Sequence, residues 1–118
     1  MADSGLFVGF FGPVRGREKQ AVEVFNEAVG LYTKLQQDGE IESWDAVFLE
    51  PHGGDLGGFF LLRGERDKIA QARASDEFNR ISTRAQLIAE SFGVVGAQMG
   101  DQIGQQMQIF LEAAGELA

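Results

Sequence analysis

Apolar and polar positions change their spacing several times along the chain, and each change marks a new element. Residues 6–12, LFVGFFG, are apolar on both faces and are followed by Pro13 and Gly16, which predicts a buried strand. From about Arg17 to Asp38 the apolar residues Ala21, Val22, Phe25, Ala28, Val29, Tyr32 and Leu35 recur at helical intervals. Gly39 then stands where a helix takes its C-terminal glycine. Residues 41–49, IESWDAVFL, read as a second strand, and FFLLRG at 59–64 as a third, also apolar on both faces. A second helical region is expected from near Glu65 to about Ser91, broken near Ser75, because Asp76 and Glu77 suit a fresh N-terminus. Residues 92–99, FGVVGAQM, predict a fourth strand. Asp101 can cap a last helix, over 101–118, with Ile103, Met107, Phe110, Leu111, Ala114 and Leu117 along one stripe. Residues 1–5 are expected to be a flexible N-terminus.

The order strand, helix, strand, strand, helix, strand, helix describes one domain over residues 1–118. GREK at 16–19 follows the first strand and GERDK at 64–68 follows the third, a faint sign of two related halves. Two such βαβ halves make an α+β, ferredoxin-like βαββαβ fold with spatial strand order 4-1-3-2, here with an extra C-terminal helix. Helices cover only one face of that sheet. Strands 1, 3 and 4 are nonetheless apolar on both faces, so the second face needs a cover. A homodimer packing two sheets face to face, a dimeric α+β barrel, supplies it.

Composition narrows the chemistry. The chain has no cysteine and one histidine, which removes disulfides, thiolate catalysis, cysteine-held metals and a multi-histidine metal site within one chain. No metal and no cofactor is therefore expected. A net charge of −8 disfavours nucleic acid as a partner, since affinity for phosphates rests on Lys and Arg. No apolar run reaches the roughly 18 residues of a membrane span. The start, MADSG, has neither the basic nor the apolar region of a signal peptide, so a cytoplasmic location is expected.

The element order, the length and the two-sided hydrophobicity resemble the dimeric α+β barrel superfamily, which includes stress-responsive A/B barrel, EthD-like and YCII-related proteins and cofactor-free antibiotic-biosynthesis monooxygenases. LEPHGGDLGGF at 49–59, RAQLI at 84–88 and FGVVGA at 92–97 are similar to stretches of small uncharacterised actinobacterial proteins. The resemblance implies a homodimer around a barrel cavity. In the monooxygenases, cavity aromatics and an arginine hold a polycyclic substrate; Trp44 and Arg63 match those residues in type.

Three groups of residues are candidates for a site. In EPHGGDLGG, at 50–58, His52 lies between Glu50 and Asp55. A carboxylate can orient an imidazole as a general base, which would make this a cofactor-independent oxygenase or isomerase. The same stretch also reads as a long hairpin loop whose glycines reach positive φ and whose Asp55 caps its own turn. GGDLGG is not a phosphate loop, because it lacks the following Lys-Ser/Thr and leads into a strand. The second group is cationic. If strands 1 and 3 run parallel, Arg15, Arg17 and Lys19 lie beside Arg63, Arg66 and Lys68, as a site for an anion or as ion pairs with nearby acids. The His52 loop would then lie at the opposite end, beside Met99–Asp101. The third group is the face of strand 2. Trp44 and Phe48, with Arg63 facing Asp45 across the sheet, could surround a partly aromatic or carboxylate-bearing small molecule in the barrel cavity, or be core packing and an edge ion pair. A filled barrel with a purely structural or interaction role is the remaining alternative.

Overall fold

The computed structural model describes residues 2–117. The elements, in order, are β1 (Ser4–Phe10), β2 (Gly12–Pro13), α1 (Glu18–Gln37), β3 (Ser43–Phe48), β4 (Gly58–Gly64), α2 (Arg66–Ala74), α3 (Asp76–Ile88), β5 (Ala89–Glu90), β6 (Gly93–Gln98) and α4 (Asp101–Leu117). The main sheet has the order β3-β4-β1-β6, which is the expected 4-1-3-2 arrangement, and the fold is ferredoxin-like α+β. A small second ladder joins β2 to β5.

The pairing corrects one expectation. β1 and β4, the first and third long strands, are antiparallel, with Ser4 opposite Gly64 and Phe10 opposite Gly58. The reason lies in the connections. The crossover through α1 makes β1 and β3 parallel, and β4, joined to β3 by a hairpin, inserts between them and so opposes both. β6 likewise opposes β1, from Ser4↔Gln98 to Gly9↔Gly93. Strand ends also shift. β1 takes in Ser4 and Gly5, which were expected in a flexible terminus, because β6 is long enough to pair with them. The second helical region ends at Ile88 rather than near Ser91, since Ala89–Glu90 pair with Gly12–Pro13.

Local chemistry explains the helix ends. α1 stops in a Schellman arrangement: Gly39 adopts φ +73°, its N–H bonds to the Gln36 carbonyl, and the Glu40 N–H reaches the Leu35 carbonyl at 2.9 Å. Ser75 separates α2 from α3. Its extended backbone ends one helix, and its hydroxyl accepts the Phe78 N–H at 3.2 Å to start the next.

Strand alternation divides the sheet into two faces. Leu6, Val8, Phe60 and Leu62 point toward the helices and form the core with Ala28, Leu31, Tyr32, Leu35, Ile69 and Phe78. Gly5, Phe7, Gly9, Phe59, Leu61, Arg63 and Val95 take the alternate positions, on the open face. Phe7 and Phe59 stack there with ring centroids 4.9 Å apart. α4 buries none of its residues; Ile103, Met107, Phe110 and Leu111 are exposed, so the stripe does not pack on its own sheet. A groove of about 550 Å³ lined by Ser4, Arg66, Gln98, Gln102, Gln105 and Gln106 runs along the base of α4 instead.

Candidate functional site: an apolar cleft between the sheet and helices α1 and α3

Two helices crossing one face of a sheet close over it only if their facing side chains are large enough to fill the space. α1 and α3 present Ala21, Ala28, Ala85 and Ser82 to the sheet, and these small residues leave a cleft of about 430 Å³. Its floor is aromatic. Phe60 lies between Phe25 at 4.9 Å, Tyr32 at 5.0 Å and Phe10 at 6.3 Å, measured between ring centroids. Phe48 stands at 5.4 Å from Phe25 and is 71% exposed. Ile81, Ile88 and Phe92 close the α3 side. A second small cluster, Val24 with Ala85 and Ile88, holds the two helices together, and outside it Arg84 pairs with Glu27 at 2.6 Å.

The polar groups on this cleft are few: Glu18, Ser82 and Tyr32. Glu18 is exposed, and both its carboxylate oxygens accept the Gly16 N–H at 3.1 Å. Tyr32 is buried, and burial pushes its phenol well above the ordinary value. No lysine or arginine lines the cleft.

The structure places the residues singled out from sequence as follows. His52, Glu50 and Asp55 are all exposed and none lines this cleft. The imidazole is occupied by its own loop: Nε2–H donates to the Leu56 carbonyl at 2.8 Å, and Nδ1 accepts the Gly54 N–H at 3.3 Å. Those bonds fix the tautomer without a carboxylate. One loop glycine has a steric purpose. A Cβ on Gly57 would run into the Phe11 carbonyl oxygen, whereas one on Gly54 would only push the exposed His52 ring aside. Gly57 N–H also bonds to the Phe10 carbonyl at 2.8 Å, which ties the hairpin loop to the close of β1. The loop therefore lies beside the end of β1 and the start of β6, not beside Met99–Asp101. The antiparallel pairing of β1 with β4 also separates the cations. Arg15, Arg17 and Lys19 follow the Phe10 end of the sheet, whereas Arg63, Arg66 and Lys68 gather at the Ser4 end.

Trp44, Phe48 and Arg63 do not converge. Trp44 sits opposite the core residue Leu62 and meets Tyr32 edge-on at 6.0 Å, so it faces the helices beneath the cleft. Phe48 is on that same side and lines the cleft. Arg63 is on the open face. Its direct cross-strand neighbour is Ser43 rather than Asp45, but its guanidinium reaches diagonally to Asp45 at 2.7 Å. Of the cleft residues, Tyr32 and Phe25 were legible only as members of the α1 stripe. The signal that marks the cleft is the run of alanines on helix faces opposite large aromatics. Among the described residues no group of three or more His, Asp or Glu is placed to hold a metal ion, and no helix is long and apolar enough to cross a membrane.

No protein-family model and no curated protein matches the chain. Solved structures do resemble it. An EthD (ethyl tert-butyl ether D) family protein from Bacillus halodurans superposes with TM-score 0.65 at 12% identity, covering 85% of this chain and 100% of that one. A DABB family protein with a ferredoxin-like fold from Mesorhizobium loti gives TM-score 0.65 at 9% identity, with the same coverage of 85% and 100%. A dimeric ferredoxin-like protein of unknown function from Thermobifida fusca gives 0.62 at 10% identity, over 84% of this chain and 93% of that one. At such identities the likeness is one of fold.

Proposed function

We propose that this chain forms a homodimer through the open faces of its sheets and that each protomer binds a small apolar organic ligand, aromatic or aliphatic, in its own cleft between the sheet and α1 and α3. The observation that carries the ligand reading is the cleft of about 430 Å³, walled by Phe10, Phe25, Phe48, Phe60 and Phe92. A preformed, largely apolar concavity of this size is the ordinary form of a small-molecule site. The dimer reading rests on Phe7, Phe59, Leu61, Val47 and Val95, which together make a continuous apolar surface on a face that no helix covers. It agrees with the similar proteins described as dimeric. In this dimer the open-face side chains fill the space between the sheets, and the ligand site moves from the barrel interior to the helix side of each sheet. His52, Glu50 and Asp55 take no part in the proposed site.

Binding is tested with a neutral naphthyl fluorophore whose emission shifts to the blue in apolar surroundings. The wild-type protein should shift the emission and saturate, and Ser82→Trp or Ala21→Trp, which place an indole in the cleft, should abolish the shift. An unshifted emission with wild-type protein, or full binding by both filled variants, would sink the cleft as the ligand site.

A further inference from the structure

Tyr32 is 2% exposed and lies on the wall of the cleft. Its ring meets Trp44, Phe60 and Phe78 at centroid distances of 6.0, 5.0 and 6.4 Å. Among the described residues the Tyr32 hydroxyl forms no hydrogen bond, and its oxygen is not fully shut off from solvent. A hydroxyl on an apolar wall with no protein partner can donate to or accept from whatever enters the cleft, which phenylalanine could not do. The Tyr32 phenol, like an ordinary tyrosine's, is protonated at physiological pH, and burial shifts it further in that direction. Charge sets the second constraint. Among the described residues no cation lines the cleft, and the exposed Glu18 stands on its lining. A carboxylate or phosphate would enter past a like charge and find no countercharge inside.

We infer that the cleft selects an uncharged ligand bearing a hydrogen-bonding oxygen, such as a ketone or phenol on an aromatic or aliphatic body, and that the Tyr32 hydroxyl is the group that holds that oxygen. The inference rests on the cleft being the ligand site proposed above. A hydrocarbon leaves the hydroxyl unmatched and an acid brings an unpaired charge, so the neutral oxygenated molecule is the class that satisfies both conditions.

Three naphthalenes of similar shape separate these cases by isothermal titration calorimetry: acetylnaphthalene, isopropenylnaphthalene and naphthoate. Wild-type protein should bind the ketone roughly tenfold more tightly than the hydrocarbon, as one hydrogen bond implies, and should bind naphthoate most weakly. Tyr32→Phe should remove the preference for the ketone and keep the affinity for the hydrocarbon. Equal binding of ketone and hydrocarbon by the wild type, a preference that survives Tyr32→Phe, or naphthoate as the tightest ligand would overturn the inference while leaving the cleft as a site. No binding of any of the three would remove the cleft reading itself, and the inference with it. Should Tyr32→Phe fail to fold, the infrared carbonyl stretch of acetylnaphthalene bound to wild-type protein decides. A shift to lower frequency than in hexane is expected, and an unshifted band overturns the inference.

Discussion

Phe59 and Phe60 are adjacent in sequence, yet strand alternation sends them to opposite faces of the sheet, and replacing each by alanine should have opposite consequences. Phe60 is 3% exposed and has four ring neighbours, Phe10, Phe25, Tyr32 and Trp44, within 6.3 Å. Removing a buried phenylalanine generally costs about 3–5 kcal/mol, the larger values arising where neighbours cannot collapse into the void. Phe60 is almost fully buried against four rings but borders the open cleft, so a loss within that range, about 3–5 kcal/mol, is expected for Phe60→Ala. Phe59 is half-buried within the protomer and has Phe7 as its one ring neighbour. Losing that stacked contact should cost the protomer only about 1 kcal/mol, while opening a gap in the proposed dimer face. Urea unfolding followed by Trp44, the chain's one tryptophan, together with sedimentation velocity, separates the two effects. Phe60→Ala should lower the unfolding midpoint strongly and sediment as the wild type does. Phe59→Ala should shift the protein toward monomer with a small loss of protomer stability. If Phe60→Ala lowers stability by less than about 2 kcal/mol, or if Phe60→Ala is the variant that dissociates, the division of the sheet into a cleft face and a dimer face is wrong.

Tyr32 is the chain's only tyrosine, so its phenolate absorption can be titrated alone. It should remain protonated well above the ordinary value of about 10, because burial raises the phenol. Since the unfolded chain ionises first, this contribution to stability is intact below pH of about 10 and is lost as pH rises toward the raised folded value; an ordinary titration curve in folded protein would contradict the burial. Ser75→Ala should cost about 1 kcal/mol in denaturant unfolding, since it removes the N-cap of α3 at the junction with α2; no loss would show that the α2–α3 break is held by packing alone. His52→Ala removes the ring's bonds to Leu56 and Gly54, worth about 0.5–1.5 kcal/mol each, and should leave binding of the naphthyl fluorophore unchanged. A loss of binding in that variant would restore the loop as part of a site.

Hydropathy spacing made the fold legible because each element carries its own period. The Ala21–Leu35 stripe, the two-sided strands at Phe7–Phe10 and Phe59–Leu62, and the stop signals at Gly39 and Ser75 all act locally, and each has a counterpart in the structure. The site was less legible because it depends on nonlocal pairing. Arg63 and Trp44 fall on opposite faces whether Arg63 stands opposite Asp45, as expected, or opposite Ser43, as observed, because the two registers differ by two residues; strand alternation alone already separates them. The two cation groups would lie together only if β1 and β4 ran parallel, and the β3–β4 hairpin makes β4 antiparallel to β1 instead. The cleft itself arises where Ala21 and Ala28 of α1 come opposite Ala85 of α3, residues more than fifty positions apart that leave space rather than fill it. Absence of volume has no period in a sequence.

A crystal structure of the protein grown with saturating acetylnaphthalene locates the ligand. Electron density for the naphthalene is expected on the helix side of each sheet, against Phe60 and Phe25, with the ketone oxygen within hydrogen-bonding distance of the Tyr32 hydroxyl. Density between the two sheets of a dimer, beside Phe7 and Phe59, or a cleft that stays empty at saturation, would show that the cleft is not the ligand site.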